Sequence, residues 1–378
     1  MNSRFSASRQ ALKAVVVGAG IFGVSSALHL ARLGIPATLV NDGPIANGAS
    51  GRSLSWLNSS RMRSEAYHRL RMIGIDRYRT LAAKYPKAPW LRFDGGLTWD
   101  ADDASNEIVA AFAHERRIGY DAQHVAAEEV AAVTPGVDAQ AVTQQGAIFN
   151  PGEGWVDLPS LIEILLEEFL ARGGQLVTDA GRAEVRISNG RANGVTTTSG
   201  TGFDADAVLL ATGAAVPQMV GEMGQPIGDA TPIALLVETT PVHHSLRAVL
   251  NTPRVAIRPT PSGALALDSA WSEEEVIVRP DGSHEVKQST LQGLLNEASK
   301  VLEGNPKLEI KRYGVGPKPI PGDGEPVFGE LMAVPGCYVA FSHSGATLGL
   351  IAGELLASEI AWGEKHPLLE PFRPERFG

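Results

Sequence analysis

VVVGAGIFG, Val15 to Gly23, is preceded by Lys13 and Ala14. A short β-branched run ending in glycine reads as a buried parallel strand, Lys13–Val17, and the apolar stretch after it as a helix, Ile21–Leu33. Gly34 ends that helix as a left-handed cap and Pro36 prevents its continuation, so Ala37–Val40 becomes a second strand and the unit is βαβ. Gly18, Gly20 and Gly23 form GxGxxG directly after the strand. Gly18 permits the tight turn, Gly20 lets the backbone approach a pyrophosphate, and Gly23 packs helix on strand. The helix N-terminus turns N–H groups and positive dipole toward the phosphates. The motif leaves NAD and FAD both open.

The acid expected to hold a ribose at the end of the second strand is replaced by Asn41, with Asp42 next. Either could reach ribose hydroxyls, Asn41 through its amide. The run Ala14–Ala31 carries no Asp, Glu, Lys or Arg and superficially resembles a signal or membrane segment. Its glycines, serines and His29 make it a poor span, and the phosphate loop explains it better.

The wider composition narrows the function. A chain of 378 residues with 44% hydrophobic content supports two domains, or three at most. The net charge of −9 comes from 33 basic and 42 acidic residues that are interspersed, which argues against a nucleic-acid partner. One cysteine, Cys337, excludes an internal disulfide and any Cys-rich metal cluster, and fits a reducing cytoplasm. The first 11 residues are polar and read as disordered.

Further along, Asp157 caps a helix whose apolar residues Leu158, Leu161, Ile162, Leu165, Leu166, Phe169 and Leu170 form one stripe ending at Gly173. A hairpin, Ala183–Ser188 and Arg191–Thr198, turns on Asn189 and Gly190, followed by the strand Ala207–Ala211. Cys337–Phe341 is a strand and Leu348–Trp362 a helix. Two stretches of different texture, near Lys84–Asn150 and Asp229–Lys311, interrupt this pattern and include the strand-like run Ile233–Thr240.

After the second strand comes GASGRSLSW, Gly48–Trp56, and later GWVDLPSL at Gly154–Leu161, LLATGA at Leu209–Ala214, KPIPGDGEPVFG at Lys318–Gly329 and FSHSGATLG at Phe341–Gly349. In this order they resemble the FAD-dependent D-amino-acid oxidase superfamily, which includes glycine oxidase and monomeric sarcosine oxidase, over about residues 13 to 362. The resemblance implies an α/β fold: a Rossmann-like FAD domain from residues 12–83, 151–228 and 312–378, and a smaller substrate domain from 84–150 and 229–311 with a mixed or antiparallel sheet and helices. It places the FAD pyrophosphate at Gly20, Ile21 and Phe22, and FAD against Ala49, Ser50, Gly51, Arg52, Ser53 and Leu54, against Ala211, Thr212 and Gly213, and under Ser344, Gly345, Ala346, Thr347 and Leu348.

On the substrate side, the resemblance implies a carboxylate-binding arginine where this chain has Lys318, a point charge in place of a bidentate fork. Arg52 is a second anion contact, His343 a hydrogen-bonding or proton-tuning group. Trp56, Tyr67, His68, Trp99 and Trp271 are available to wall a pocket. The cysteine that binds FAD covalently in some relatives is absent from Lys318–Gly329, so the FAD is expected to be non-covalent and Cys337 a small buried hydrophobe. The implied reaction is oxidation of a small amino or imino acid by hydride transfer to flavin N5, giving an imine that water hydrolyses, with oxygen or another acceptor taking the electrons. A dehydrogenase of an amino or 2-hydroxy acid, an NAD(P)-dependent dehydrogenase, and an FAD-binding subunit of a larger amine dehydrogenase are the alternatives.

Overall fold

The computed structural model describes residues 12–378, so the expectation for the first 11 residues lies outside the described part. Strand β1 (Ala14–Val17), helix α1 (Ile21–Arg32) and strand β2 (Ala37–Val40) form the expected βαβ unit. Val16 and Val15 lie on opposite faces of the pleat and both are fully buried, because helices cover one face of the sheet and a second small sheet the other. Gly34 has φ 77°, the left-handed conformation that stops α1.

The sheet has six strands, in the order 327–330, 337–341, 207–210, 14–17, 37–40 and 175–177. All neighbours run parallel except the first pair, which is antiparallel. The central helix runs Leu158–Ala171, with Asp157 accepting the Ser160 N–H at 3.2 Å, and buries six of the seven apolar residues of its stripe. Only Leu170 turns outward, 45% exposed. The hairpin forms at Ala183–Ser188 and Arg191–Thr197 and covers the sheet's other face.

A second sheet of eight strands has the order 310–317, 233–239, 265–268, 256–259, 249–251, 96–98, 147–150 and 123–125. Its pairings are antiparallel apart from Val249–Asn251 against Gly96–Thr98, so the sheet is mixed. The helix Gln288–Val301 packs its apolar stripe on it and closes a second core around Trp99, Leu250 and Leu267. The boundary expected at residue 312 falls inside the strand Ile310–Pro317, whose register with Ile233–Thr239 makes it part of this sheet.

The C-terminal helix starts earlier than its apolar pattern suggests, at Gly345 in place of Leu348, and runs to Trp362. Its Gly349 and Gly353 lie against α1. A Cβ on Gly349 would stand 2.3 Å from Ile21 Cγ1, and one on Gly353 2.3 Å from Ser25 Oγ, so the two helices meet backbone to side chain. Helix α2 (Glu65–Lys84) packs on the same C-terminal helix.

The chain end is fastened by Arg373, whose guanidinium donates to both oxygens of Glu359 at 2.7 and 2.5 Å; the two side chains are 3% and 4% exposed. Removing one partner leaves a buried charge without its counterion. Arg373→Ala should therefore destabilise the fold by about 3–5 kcal/mol in denaturant unfolding. An unchanged midpoint would mean that the tail contributes nothing to the core.

Candidate active site

Two helix starts open into one cavity of about 690 Å³. Helix α1 begins after Gly20 with no side-chain cap and no acid in its first turn, and the C-terminal helix begins after Ser344 in the same way. Each turns the positive end of its dipole into the cavity. Only glycine lets α1 start this close to β1: a Cβ on Gly23 would lie 1.8 Å from the Gly18 carbonyl oxygen.

The expected cofactor residues largely converge here. Gly18, Gly20–Phe22, Asn41, Asp42, Ala49, Ser50, Arg52–Leu54, Ala211–Gly213 and Ser344–Thr347 line the cavity, as do Lys318 and His343. Three do not. Gly23 packs on Gly18, Leu348 is fully buried in the helix layer, and Gly51 faces a neighbouring pocket with Asp157 and Arg258.

Asn41 has no free amide hydrogen for a ribose, and only the second lone pair of Oδ1 is left to accept from one. Its Oδ1 accepts the Ala19 N–H at 2.8 Å, and its Nδ2 donates to the carbonyls of Gly43 and Pro44 at 2.7 and 2.9 Å. An acid could accept but not donate, so Asn41 ties the glycine loop to the β2 turn as no carboxylate could. Asp42 lines the same end of the cavity with its side chain exposed. Ser50 seals the loop by accepting the Ile21 N–H at 3.1 Å. Arg52 crosses Gly314 and Gly316, where a Cβ on Gly316 would meet its Nη2 at 2.5 Å, and it donates to the Asn47 carbonyl.

A long cavity with a glycine cradle at one end, an uncapped helix start at each of two points, and several guanidinium groups fits an extended dianionic dinucleotide. Among the described residues no group of side chains could hold a metal ion, and no helix is long and apolar enough to cross a membrane. Residues 13–359 match the family model of the FAD-dependent oxidoreductases called DAO. The chain belongs to this family. It is an FAD-dependent oxidoreductase. It is 27% identical to a glycine oxidase of Pseudomonas aeruginosa over 380 residues, covering 95% of this chain and 97% of that one. Its fold is that of glycine oxidase from Geobacillus kaustophilus, with a TM-score of 0.80, 20% identity and coverage of 96% and 98% of the two chains. L-Proline dehydrogenase from P. horikoshii matches with a TM-score of 0.80, 22% identity and 97% coverage of each.

The charged groups at the other end of the cavity depart from expectation. Lys318 lines the cavity with its charge already neutralised, because its Nζ lies 2.6 Å from both oxygens of Glu273. Asp268, which ends the strand Leu265–Asp268, lines the cavity beside this pair, and burial pushes its pKa up to about 6 despite the Lys318 charge.

Two arginines that sequence reading passed over stand near His343 as well as Lys318. Arg71 on α2 is buried and donates only to neutral acceptors, the Asn58 carbonyl at 2.7 Å, Asn58 Oδ1 at 2.8 Å, Tyr67 Oη at 3.2 Å and Ser344 Oγ. Arg63, just before α2, lines the cavity with its Nε unpaired. Burial and the neighbouring Arg71 hold the Arg63 pKa down to about 10, which keeps it charged at neutral pH. His343 projects into the cavity, with its side chain exposed there and protein packed around it. Burial, with the cations Lys318, Arg71 and Arg63, holds its pKa down to about 4, so the ring is neutral. The only signal for these arginines was the dense run RMRSEAYHRLR, Arg61–Arg71, which has no fixed spacing to mark a site.

Of the aromatic candidates only Trp56 lines the cavity. Tyr67 donates to Ser344 Oγ at 2.6 Å, His68 bonds Ser59 Oγ at 2.8 Å, Trp99 fills the second core, and Trp271 donates to the Arg254 carbonyl at 2.8 Å.

Behind Trp56 lies Glu153, fully buried, which accepts from Tyr120 Oη at 2.5 Å while its Oε2 has no partner. Burial pushes its pKa from 4.5 up to about 8. Between these values the folded chain holds a proton that the unfolded chain has lost, so stability falls as pH rises through that window. Glu153→Gln should flatten the decline of Tm between about pH 5 and pH 8 relative to wild type. A decline of equal slope in the variant would show that Glu153 is ionised in the fold.

Proposed function

We propose that this chain oxidises a small amino or imino acid, a primary or secondary amine, to an imine that water hydrolyses, with FAD held non-covalently. The observation that carries this reading is the Arg63 guanidinium lining the cavity with no acid bonded to it and its buried Nε without a partner, beside a neutral His343 in the turn that opens the C-terminal helix. A planar fork with no acid of its own suits a substrate carboxylate. The names of the relatives, a glycine oxidase and an L-proline dehydrogenase, point to substrates of the same kind.

When bound, FAD supplies the two-electron acceptor for the hydride that leaves the substrate carbon. The protein's part is orientation and charge. Arg63 takes the carboxylate and so fixes which carbon faces the flavin end of the cavity. The low-dielectric surroundings that keep His343 neutral also favour an uncharged amine, the form that can lose hydride. Arg71 and the start of the C-terminal helix favour negative charge at that end. Asp42 is assigned the ribose contact. Cys337 sits fully buried in the strand Cys337–Phe341 with its pKa pushed up to about 12 by burial, which suits a packing role and no covalent link to FAD. The six-stranded sheet and its helices form the FAD domain, and the eight-stranded sheet carries the substrate side.

The test is an anaerobic titration of the purified yellow protein with small amino acids, N-alkyl amino acids and 2-hydroxy acids. Bleaching by an amine supports the reading; bleaching only by a 2-hydroxy acid overturns it. Readmitted air distinguishes oxygen from another acceptor by the speed of recolouring. Arg63→Ala should keep its FAD and raise KM for the carboxylated substrate by roughly tenfold to a hundredfold. An unchanged KM would remove Arg63 from the site.

A further inference from the structure

The charges in the cavity do not balance at its substrate-sheet end. Lys318, Glu273 and Asp268 meet there because Ile233–Thr239 pairs on one side with Ile310–Pro317, which leads into Lys318, and on the other with Leu265–Asp268, which leads into the short helix carrying Glu273. Glu273 alone neutralises Lys318, through two contacts of 2.6 Å, and the pair is mostly withdrawn from solvent, 10% and 28% exposed. Asp268 is then one carboxylate too many. It lines the cavity, partly exposed to it, and only burial and the charges of Lys318 and Glu273 act on it, with no hydrogen-bond donor among the described residues. A half-buried carboxylate that faces a cavity without a protein donor is a ready partner for a cationic group entering it.

The opposite holds near His343, where Arg63 and Arg71 have only neutral partners or none. The cavity thus has a cationic region at the flavin turn and an anionic one at Asp268. An amino acid whose only cationic group is the reacting ammonium brings no second charge to meet Asp268.

We propose that Asp268, backed by Glu273, forms an anionic subsite for a second, cationic group of the substrate, so that the preferred substrates are amino acids whose side chain or N-substituent ends in an ammonium or guanidinium. This rests on the amine-oxidation reading for the reacting end of the molecule and adds the far end. Lys318 serves the subsite as a positioning residue, holding Glu273 against Asp268 and limiting the excess to one negative charge.

The holoenzyme separates the two claims. Matched pairs that differ in one charge, arginine against citrulline and lysine against norleucine in both enantiomers, are compared by kcat/KM for flavin reduction. The cationic member should lead by at least about tenfold, the usual worth of a charge-assisted contact. Asp268→Asn should remove that lead by lowering the cationic member, with the neutral member changed by less than about threefold. Equal loss for both members would overturn the proposal, since Asp268 would then act on the reacting amine or on the fold. Glu273→Gln, which releases Lys318, should move preference toward a distal carboxylate such as that of glutamate. Agmatine, which has the guanidinium but no carboxylate, gives a readout independent of turnover. It should perturb the flavin spectrum of wild type and do so at least about tenfold more weakly in Asp268→Asn. If agmatine binds in this manner while no amino acid bleaches the flavin, the oxidation reading fails and the subsite stands. If agmatine does not bind, or binds both proteins alike, the subsite fails whatever is oxidised.

Discussion

Between Gly18 and Gly23 the first strand and first helix touch through their backbones, with 1.8 Å between the Gly18 carbonyl oxygen and the place where a Cβ on Gly23 would be. That contact draws the start of α1 against the end of β1, so the helix dipole and its free donors point into the crevice beyond the strand ends. Everything else in the cradle is arranged around it. Asn41 bonds the loop from one side, Ser50 from another, and the C-terminal helix can lie on α1 only because Gly349 and Gly353 bring no side chain to the seam. A second uncapped helix start is thereby delivered to the same cavity.

The cradle explains why an anionic cofactor is held, but the substrate end is governed by a different rule, the pairing of buried charge. Lys318 stands where the family resemblance implies an arginine that grips a carboxylate. A lone ammonium there would be a plausible substitute. The nearby Glu273 cancels it, while Arg63, at the foot of α2, lines the same cavity with no acid bonded to it. On the reading proposed above the carboxylate contact passes to Arg63, since electrostatic attraction depends on the sign and position of a charge, and only weakly on which element supplies it. The same reasoning gives Glu153 its proton. With Tyr120 as a neutral donor and no cation beside it, the cheapest state of a fully buried carboxyl is the protonated one.

The fold was largely legible because its signals are local. GxGxxG between strand and helix, the apolar stripe after Asp157 and the Asn189–Gly190 hairpin each depend on neighbours within a few residues. What stayed hidden depends on contacts between residues tens of positions apart, 22 for Asn41 and Ala19 and 45 for Lys318 and Glu273. Nothing near Asn41 says that Ala19 will consume its acceptor, and nothing near Lys318 says that Glu273, 45 positions earlier, will neutralise it. Arg63 and Arg71 were visible only as members of a basic run, which usually marks a solvated face. The C-terminal helix starts three residues before its apolar pattern for a related reason. Gly345 and Thr347, on either side of Ala346, are weak helix formers on intrinsic grounds, and it is the docking on α1 and α2 that makes this turn helical.

The strand Ile310–Pro317 joins these two regimes. It belongs by its hydrogen bonds to the eight-stranded sheet, yet Gly314 and Gly316 lie under Arg52 of the cofactor loop, and its last residues lead directly into Lys318. A substitution on the substrate sheet therefore reaches the cavity through a rigid, hydrogen-bonded strand, while the glycine cradle, built from a separate sheet, is left undisturbed. This separation lets the cofactor end remain fixed by backbone contacts that tolerate almost no change. The charge pattern at Asp268, Glu273 and Lys318 can meanwhile vary one side chain at a time, and it is there that relatives with a common fold can come to differ in what they oxidise.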